Sequence, residues 1–183
     1  MIAIMSGELI EHLGRLSSRA RSFAAGQHLF HRGDRIAALY WVESGKVHLQ
    51  RFTADGSAAV MQRAADGALL AEASIFGQHY HCDGIAAEPV AARQFDMAEV
   101  RRLMQAEPAF TASLARYLAE EVMRMRSRAE IASLRTVEAR LEAWLALNDH
   151  QLPPAGKRVE LARELGVSPE ALYRELARRR STD

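Results

Sequence analysis

The sequence holds one cysteine, Cys82, in 183 residues. An internal disulfide framework is excluded, and this usage fits a reducing compartment. Net charge is nearly absent: 24 Lys and Arg stand against 23 Asp and Glu, a formal +1. No global field attracts a polyanion, so any nucleic-acid binding rests on local clusters. Long apolar runs are missing. Met1-Ile2-Ala3-Ile4-Met5 is brief, and Glu8, Glu11 and Arg15 soon follow. Neither a signal peptide nor a membrane span is expected, and the expected location is cytoplasmic. No repeat or low-complexity tract is visible. No Ser/His/Asp set, phosphate-cradling glycine loop or catalytic carboxylate pair stands out, so no enzyme is expected.

What is present is a globular composition, 49% hydrophobic, enough for one large domain or two modest ones. Residues 6–18 read as a short amphipathic helix, with Leu9, Ile10, Leu13 and Leu16 on one side and Ser6 as cap. From Ala20 to Pro89, short apolar runs alternate with turn signals at Gly26, Arg32-Gly33-Asp34, Ser44-Gly45-Lys46, Asp55-Gly56 and Asp66-Gly67. Leu39–Val42 and Val47–Phe52 read as strands around a tight Glu43-Ser44-Gly45 turn. Asp55-Gly56 is a hairpin signal, and the glycine spacing implies a compact β-roll or jelly roll. From Asp96 the pattern is helical: Ala98–Ala106, a long helix from Ala109 to Leu134, and Val137–Leu147. Leu114, Leu118, Val122, Met125 and Ala129 stripe the long helix, which outruns a compact roll and is read as a seam with a second copy. Leu141, Trp144, Leu145 and Leu147 are expected to brace the terminal helical hairpin, and 151–156 is a loop.

The tail, Lys157 to Arg180, reads as a helix-turn-helix. Leu161 and Leu165 recur at helical spacing, and Ala162 is small where a second helix crosses. Gly166 ends the first helix at positive φ, Val167 plugs the corner, Ser168 caps the second helix and Pro169 suits its first position. Leu172 and Leu176 then point inward, while Glu170, Arg174 and Arg178 take the opposite face, where a DNA groove would receive them.

A glycine-punctuated β-roll, a long helix and a helix-turn-helix, in that order, resemble the Crp/Fnr superfamily of transcription regulators. The carriers are Phe23–Gly26, His31–Asp34, Leu39–Val47, Asp66–Glu72 and the tail. The resemblance implies an α+β chain in three parts: a double-stranded β-helix sensor like a cyclic-nucleotide domain (1–108), a dimerisation helix and hinge (109–135, with the hinge near Leu134-Arg135-Thr136), and a DNA-binding head (136–183). It implies a homodimer through 109–135, double-stranded DNA and RNA polymerase as partners, and no membrane. Glu170 and Arg174 match the base-reading positions, where arginine suits guanine and glutamate accepts from cytosine. Ser168, Arg178, Lys157 and Arg158 are assigned to phosphates. Two departures stand out. Pro169 replaces a third reading residue, and the sequence ends without the expected wing at Ser181-Thr182-Asp183. The absent wing would leave the face of Glu175 wet.

Family members that bind cyclic nucleotides hold the phosphate with an Arg-Ser pair. Glu72 stands here as if for a ribose hydroxyl, but Cys82-Asp83 occupy the phosphate positions. A carboxylate repels a phosphodiester, so tight cyclic-nucleotide binding is not expected. Glu72, Cys82 and Asp83 are the effector-pocket candidates. His79, His81 and Cys82 are candidate metal ligands, since sulfur beside imidazole suits Cu(I) or Zn(II), and a lone thiol also senses oxidants. A regular strand puts His79 and His81 on one face and Cys82 on the other, with His28 and His31 able to approach from a neighbouring strand. Two other readings stay open: a protein-interaction module with a degenerate head, and a cupin-like metalloenzyme built on His79 and His81.

Overall fold

The computed structural model describes the backbone of residues 2–180 and the side chains of 7–180. Ser181, Thr182 and Asp183, the stretch on which the missing wing is read, lie outside them, as does the side chain of Ser6. The chain divides into two compact units, one through Leu118 and one from Ala119. Among the described residues no helix is long and apolar enough to cross a membrane.

The first unit opens with α1 (Ile2–Leu13). It ends five residues sooner than the apolar spacing implied, because Gly14 closes it and strand pairing starts at Ser18. Eight antiparallel strands follow: β1 (Ser18–Phe23), β2 (His28–Phe30), β3 (Ala38–Ser44), β4 (Val47–Phe52), β5 (Ala58–Ala64), β6 (Leu69–Leu70), β7 (Asp83–Ala86) and β8 (Val90–Asp96). They form two four-stranded sheets, β1-β8-β3-β6 and β2-β7-β4-β5. Asp55-Gly56 turns β4 into β5 as expected, with Phe52 opposite Ala58. The Ser44–Lys46 turn does something else. β3 and β4 lie in different sheets, so it is the corner that carries the chain across. Gly45 sits there at φ +91°, and a Cβ on it would come within 2.2 Å of the Pro89 carbonyl oxygen. Only glycine fits.

The faces between the sheets bury Phe23, Phe30, Tyr40, Val42, Leu49, Leu70, Tyr80 and Cys82 among others. A second cluster seals the outer face of the β1-side sheet. Leu39, Leu69 and Phe95 meet Leu9 and Leu13 of α1, Met97 and Val100 of α2 (Met97–Ala106), and Phe110, Leu114 and Tyr117 at the start of α3 (Pro108–Ser133). The Tyr117 hydroxyl accepts from the Leu69 amide at 3.0 Å in this buried setting.

α3 continues into the second unit, where Ile131 joins a separate cluster. Between Ala119 and Glu130 its apolar residues are uncovered: Val122 is 45% exposed, Met123 67% and Met125 56%. The stripe read from the sequence thus splits, with Leu114 buried and Val122, Met125 and Ala129 bare. α4 (Val137–Leu147), α5 (Arg158–Glu164) and α6 (Pro169–Arg180) complete the unit around Leu141, Leu161, Ala162, Leu165, Leu172 and Leu176. Trp144 and Leu145 pack on this cluster, but Leu147 does not brace it, being 57% exposed as the last residue of α4.

Candidate functional site

The helix-turn-helix forms as its landmarks dictate. Gly166 has φ +64°, the Val167 amide donates to the Ala162 carbonyl at 3.0 Å, and the Ser168 hydroxyl accepts from the Ala171 amide at 3.2 Å. Leu172 and Leu176 are buried against α4 and α5. The opposite face of α6 holds Glu170, Tyr173 and Arg174, all exposed. The Glu170 carboxylate is held below its usual range, first by its own backbone amide and then by the Ser168 hydroxyl. It is therefore an ionised acceptor at neutral pH. Lys157, exposed, and Arg158, half-buried, stand at the start of α5.

Glu175 does not face water. It is 9% exposed, and its carboxylate accepts from Arg178 Nε at 3.0 Å and Arg179 Nε at 2.7 Å. The wet-face expectation is corrected: a buried carboxylate is tolerated because two guanidiniums cover it. Both arginines reach on to α4, Arg178 to Glu138 at 2.6 Å and Arg179 to Glu142. Arg178, assigned from the sequence to a phosphate, is thus already committed to two carboxylates.

A further residue was not foreseen. Arg140 of α4 donates to Ala132 O at 2.9 Å and Leu134 O at 2.8 Å at the end of α3, and to Leu165 O at 2.9 Å and Gly166 O at 3.0 Å at the helix-turn-helix corner. One guanidinium satisfies the orphan carbonyls of two helix ends. It fastens the Leu134–Thr136 segment to the turn, while the Thr136 hydroxyl caps α4 through the Ala139 amide.

In the β-roll, Glu72 opens a short 3-10 turn, Glu72–Ser74, and is buried. Cys82 and Asp83 are both buried, but they do different things, one in the bend before β7 and the other at its first position. Cys82 belongs to the apolar cluster between the sheets. Asp83 instead accepts from the Arg32 amide at 3.0 Å and lies 3.7 Å from His31 Nδ1. Asp83 therefore has partners of its own on the β2 side. Burial pushes the Cys82 thiol up to about 11. It is held as a protonated apolar side chain, poorly suited to sense oxidants or to bind a metal.

His79, His81 and Cys82 do not converge on one point. His79 pairs through its backbone with Arg35, His81 Nδ1 meets the Ser74 hydroxyl at 3.1 Å, and Cys82 lies in the apolar cluster between the sheets. Among the described residues the three-ligand group is another one, His28, His31 and Asp83. Arg51 was also missed: its Nε donates to the His81 carbonyl at 2.9 Å, and its charge lowers the Cys82 thiol against the effect of burial. No sequence signal marks it, because β4 and the approach to β7 are brought together only by the sheet.

Residues 20–107 match the cyclic nucleotide-binding domain family. No curated protein matches the sequence. Among solved structures, FixK2 from Bradyrhizobium japonicum superposes with a TM-score of 0.69 at 17% identity, over 91% of this chain and 86% of that one. The catabolite activator protein of Thermus thermophilus gives 0.54 at 25% identity, over 93% and 81%. CLP of Xanthomonas campestris, a c-di-GMP-responsive global regulator, gives 0.62 at 20% identity, over 96% and 92%. The two-sheet roll, the long helix and the helix-turn-helix together make the fold these solved structures share, and residues 20–107 are similar to the cyclic nucleotide-binding domain.

Proposed function

We propose that the chain is a homodimeric, sequence-specific DNA-binding regulator, without catalytic activity, whose effector is not a tightly held cyclic nucleotide. The observation that carries this reading is α6: its apolar face is buried while Ser168, Glu170 and Arg174 stay exposed on the other. Arg174 reads a base edge, Glu170 accepts from one, and Lys157 and Arg158 neutralise phosphates. The dimer reading is supported by Val122, Met123 and Met125, three large apolar side chains left bare on one helix. The effector reading is supported by Cys82 and Asp83, a thiol in the roll interior and a buried carboxylate at the positions where the resemblance implies a phosphate-binding pair.

The test is selection of bound duplexes from a random pool, followed by fluorescence anisotropy. Arg174→Ala is expected to weaken the selected site by about 1–3 kcal/mol and relax one base position, while Lys157→Ala weakens all duplexes alike. Met123→Glu is expected to give monomers by light scattering and to lose DNA with them. Wild-type monomers with no enriched sequence would overturn the reading. Dimers with no enriched sequence would favour the protein-interaction module instead. Calorimetry that finds micromolar cyclic AMP binding would remove the effector clause alone.

A further inference from the structure

Two histidines three residues apart on a regular strand point to opposite faces. His28 and His31 do not. The β2–β7 pairing shifts register between His28 and Phe30, and the chain then turns at His31-Arg32-Gly33. The two imidazoles end up stacked, with centroids 4.0 Å apart and planes at 22°. An irregularity that re-aims a side chain is a recurrent device at sites. Asp83, at the head of β7, closes the group: a ligand atom from each of the three residues lies within 4.8 Å of the others.

The arrangement is held in place. Asp83 is buried, and its carboxylate is oriented by the Arg32 amide at 3.0 Å. The turn carrying His31 is pinned at its far end, by the Gly33 amide on Tyr80 O and the Tyr80 amide on Asp34 O, each 2.9 Å. Donors on a tetrahedral ion with bonds of about 2.0–2.1 Å stand roughly 3.4 Å apart. To reach that spacing the exposed His31 ring turns out of the stack, so that its nitrogen lone pair and that of His28 aim at one point.

We propose that His28, His31 and Asp83 form a binding site for a borderline divalent transition-metal cation of the Zn(II) class, clamping β2 to β7. Two imidazoles and one carboxylate suit Zn(II), Co(II) or Ni(II). A single carboxylate is too few for Ca(II) or Mg(II), which take oxygen ligands. Cu(I) prefers sulfur, and the one thiol lies in the roll interior. Three protein ligands leave an open position for water or an effector group. This inference does not rest on DNA binding and goes beyond it.

The experiment uses the full chain, free of any affinity tag and stripped with a chelator. Zn(II) is titrated against a chromophoric competitor, and Co(II) is added as the spectroscopic probe. One Zn(II) per chain is expected, with visible Co(II) bands and no thiolate charge-transfer band. His31→Ala and Asp83→Asn each lower affinity by at least about tenfold. Cys82→Ser and His79→Ala bind as the wild type does. His31 is exposed, so His31→Ala keeps the proposal testable if Asp83→Asn fails to fold. Saturating Zn(II) is expected to raise the β-roll melting temperature by about 4 °C or more, with no rise in His31→Ala. No binding below millimolar Zn(II) would overturn the proposal, as would unchanged affinity in His31→Ala or a loss that follows Cys82→Ser or His79→Ala.

Discussion

The β-roll and the C-terminal unit are held together by different forces. The roll closes two sheets on Phe23, Phe30, Tyr40, Leu49, Leu70 and Tyr80, and Gln50, Glu72, Ser74 and Asp83 are buried with them. The C-terminal unit has a smaller apolar cluster, and around it guanidiniums bridge one helix to the next: Arg140 to two helix ends, Arg178 and Arg179 to Glu175, Glu138 and Glu142. Apolar burial is non-directional and insensitive to moderate salt, whereas partly exposed ion pairs are directional and screened. A domain that must keep its shape is well served by the first. Contacts between charged groups exchange readily for other charged partners, which apolar burial does not offer. Each unit carries its own reporter, Trp41 in the roll and Trp144 in the head. Single-tryptophan variants therefore read the two regions separately.

The largest expected effect is that of Arg140→Ala. It removes one cation from four carbonyls at two helix ends, and those carbonyls lose their partners at once. Hydrogen bonds to charged groups are worth about 1.5–3 kcal/mol each but do not add, so a loss of about 3–4 kcal/mol is expected. The Trp144 transition in denaturant should move to lower concentration while the Trp41 transition stays in place. Equal movement of both would mean that the two regions unfold as one, and the contrast would fall.

Next comes Cys82, the polar probe of the roll interior. A thiol pushed up to about 11 holds, at pH 8, about one hundredth of the thiolate of one at the ordinary 9.0. Alkylation of the native protein at pH 8 is expected to run about 100-fold slower than in denaturant, and to quicken as pH rises toward 11. Because burial raises this value, the protonated form is the one the fold favours, so stability contributed here falls only as pH climbs through the thiol range. Fast native alkylation at pH 8 would mean that the roll opens locally, and would restore Cys82 as a sensor.

What can be read from the sequence divides along the same line. Local signals translate well: Asp55-Gly56 makes its hairpin, and Gly166, Ser168 and Pro169 set the helix-turn-helix turn. Their physics lies within a few residues. The Ser44-Gly45 turn is legible as tight, but its role as a corner between sheets depends on which strands β3 and β4 pair with elsewhere. The metal-ligand reading fails for the same reason. His79, His81 and Cys82 are neighbours in sequence and are dispersed by the pleat and the turn, whereas His28, His31 and Asp83 meet across a pairing of strands more than fifty residues apart. Glu175 is legible as an anomaly but not as a solution, since the arginines that cover it lie one helical turn further on and Arg178 reads as outward-facing. Arg140 gives no signal at all, one arginine among many on an amphipathic helix.

The smallest expected effect tests the charge side of the contrast directly. The Arg178 guanidinium beside Glu175 holds its carboxyl below the usual range, against the opposing effect of burial. A depressed value in the folded state means that the ion pair stabilises above the unfolded value of about 4.3, and that this stability is lost as pH falls through the lower folded value. Glu175→Gln removes the charge and keeps the shape. Near neutral pH it should lower the Trp144 melting temperature by about 4 °C. On acidification the wild type should lose that advantage, and the two melting curves should meet once the pH has fallen through the lowered folded value, the remaining carboxylates being common to both proteins and dropping out of the difference. Added salt should narrow the gap at neutral pH as well, since Arg178 is half-exposed and its field is screened. A gap unchanged by acid and salt would mean that Glu175 is kept for its packing, and that the head, like the roll, is held by its apolar contacts.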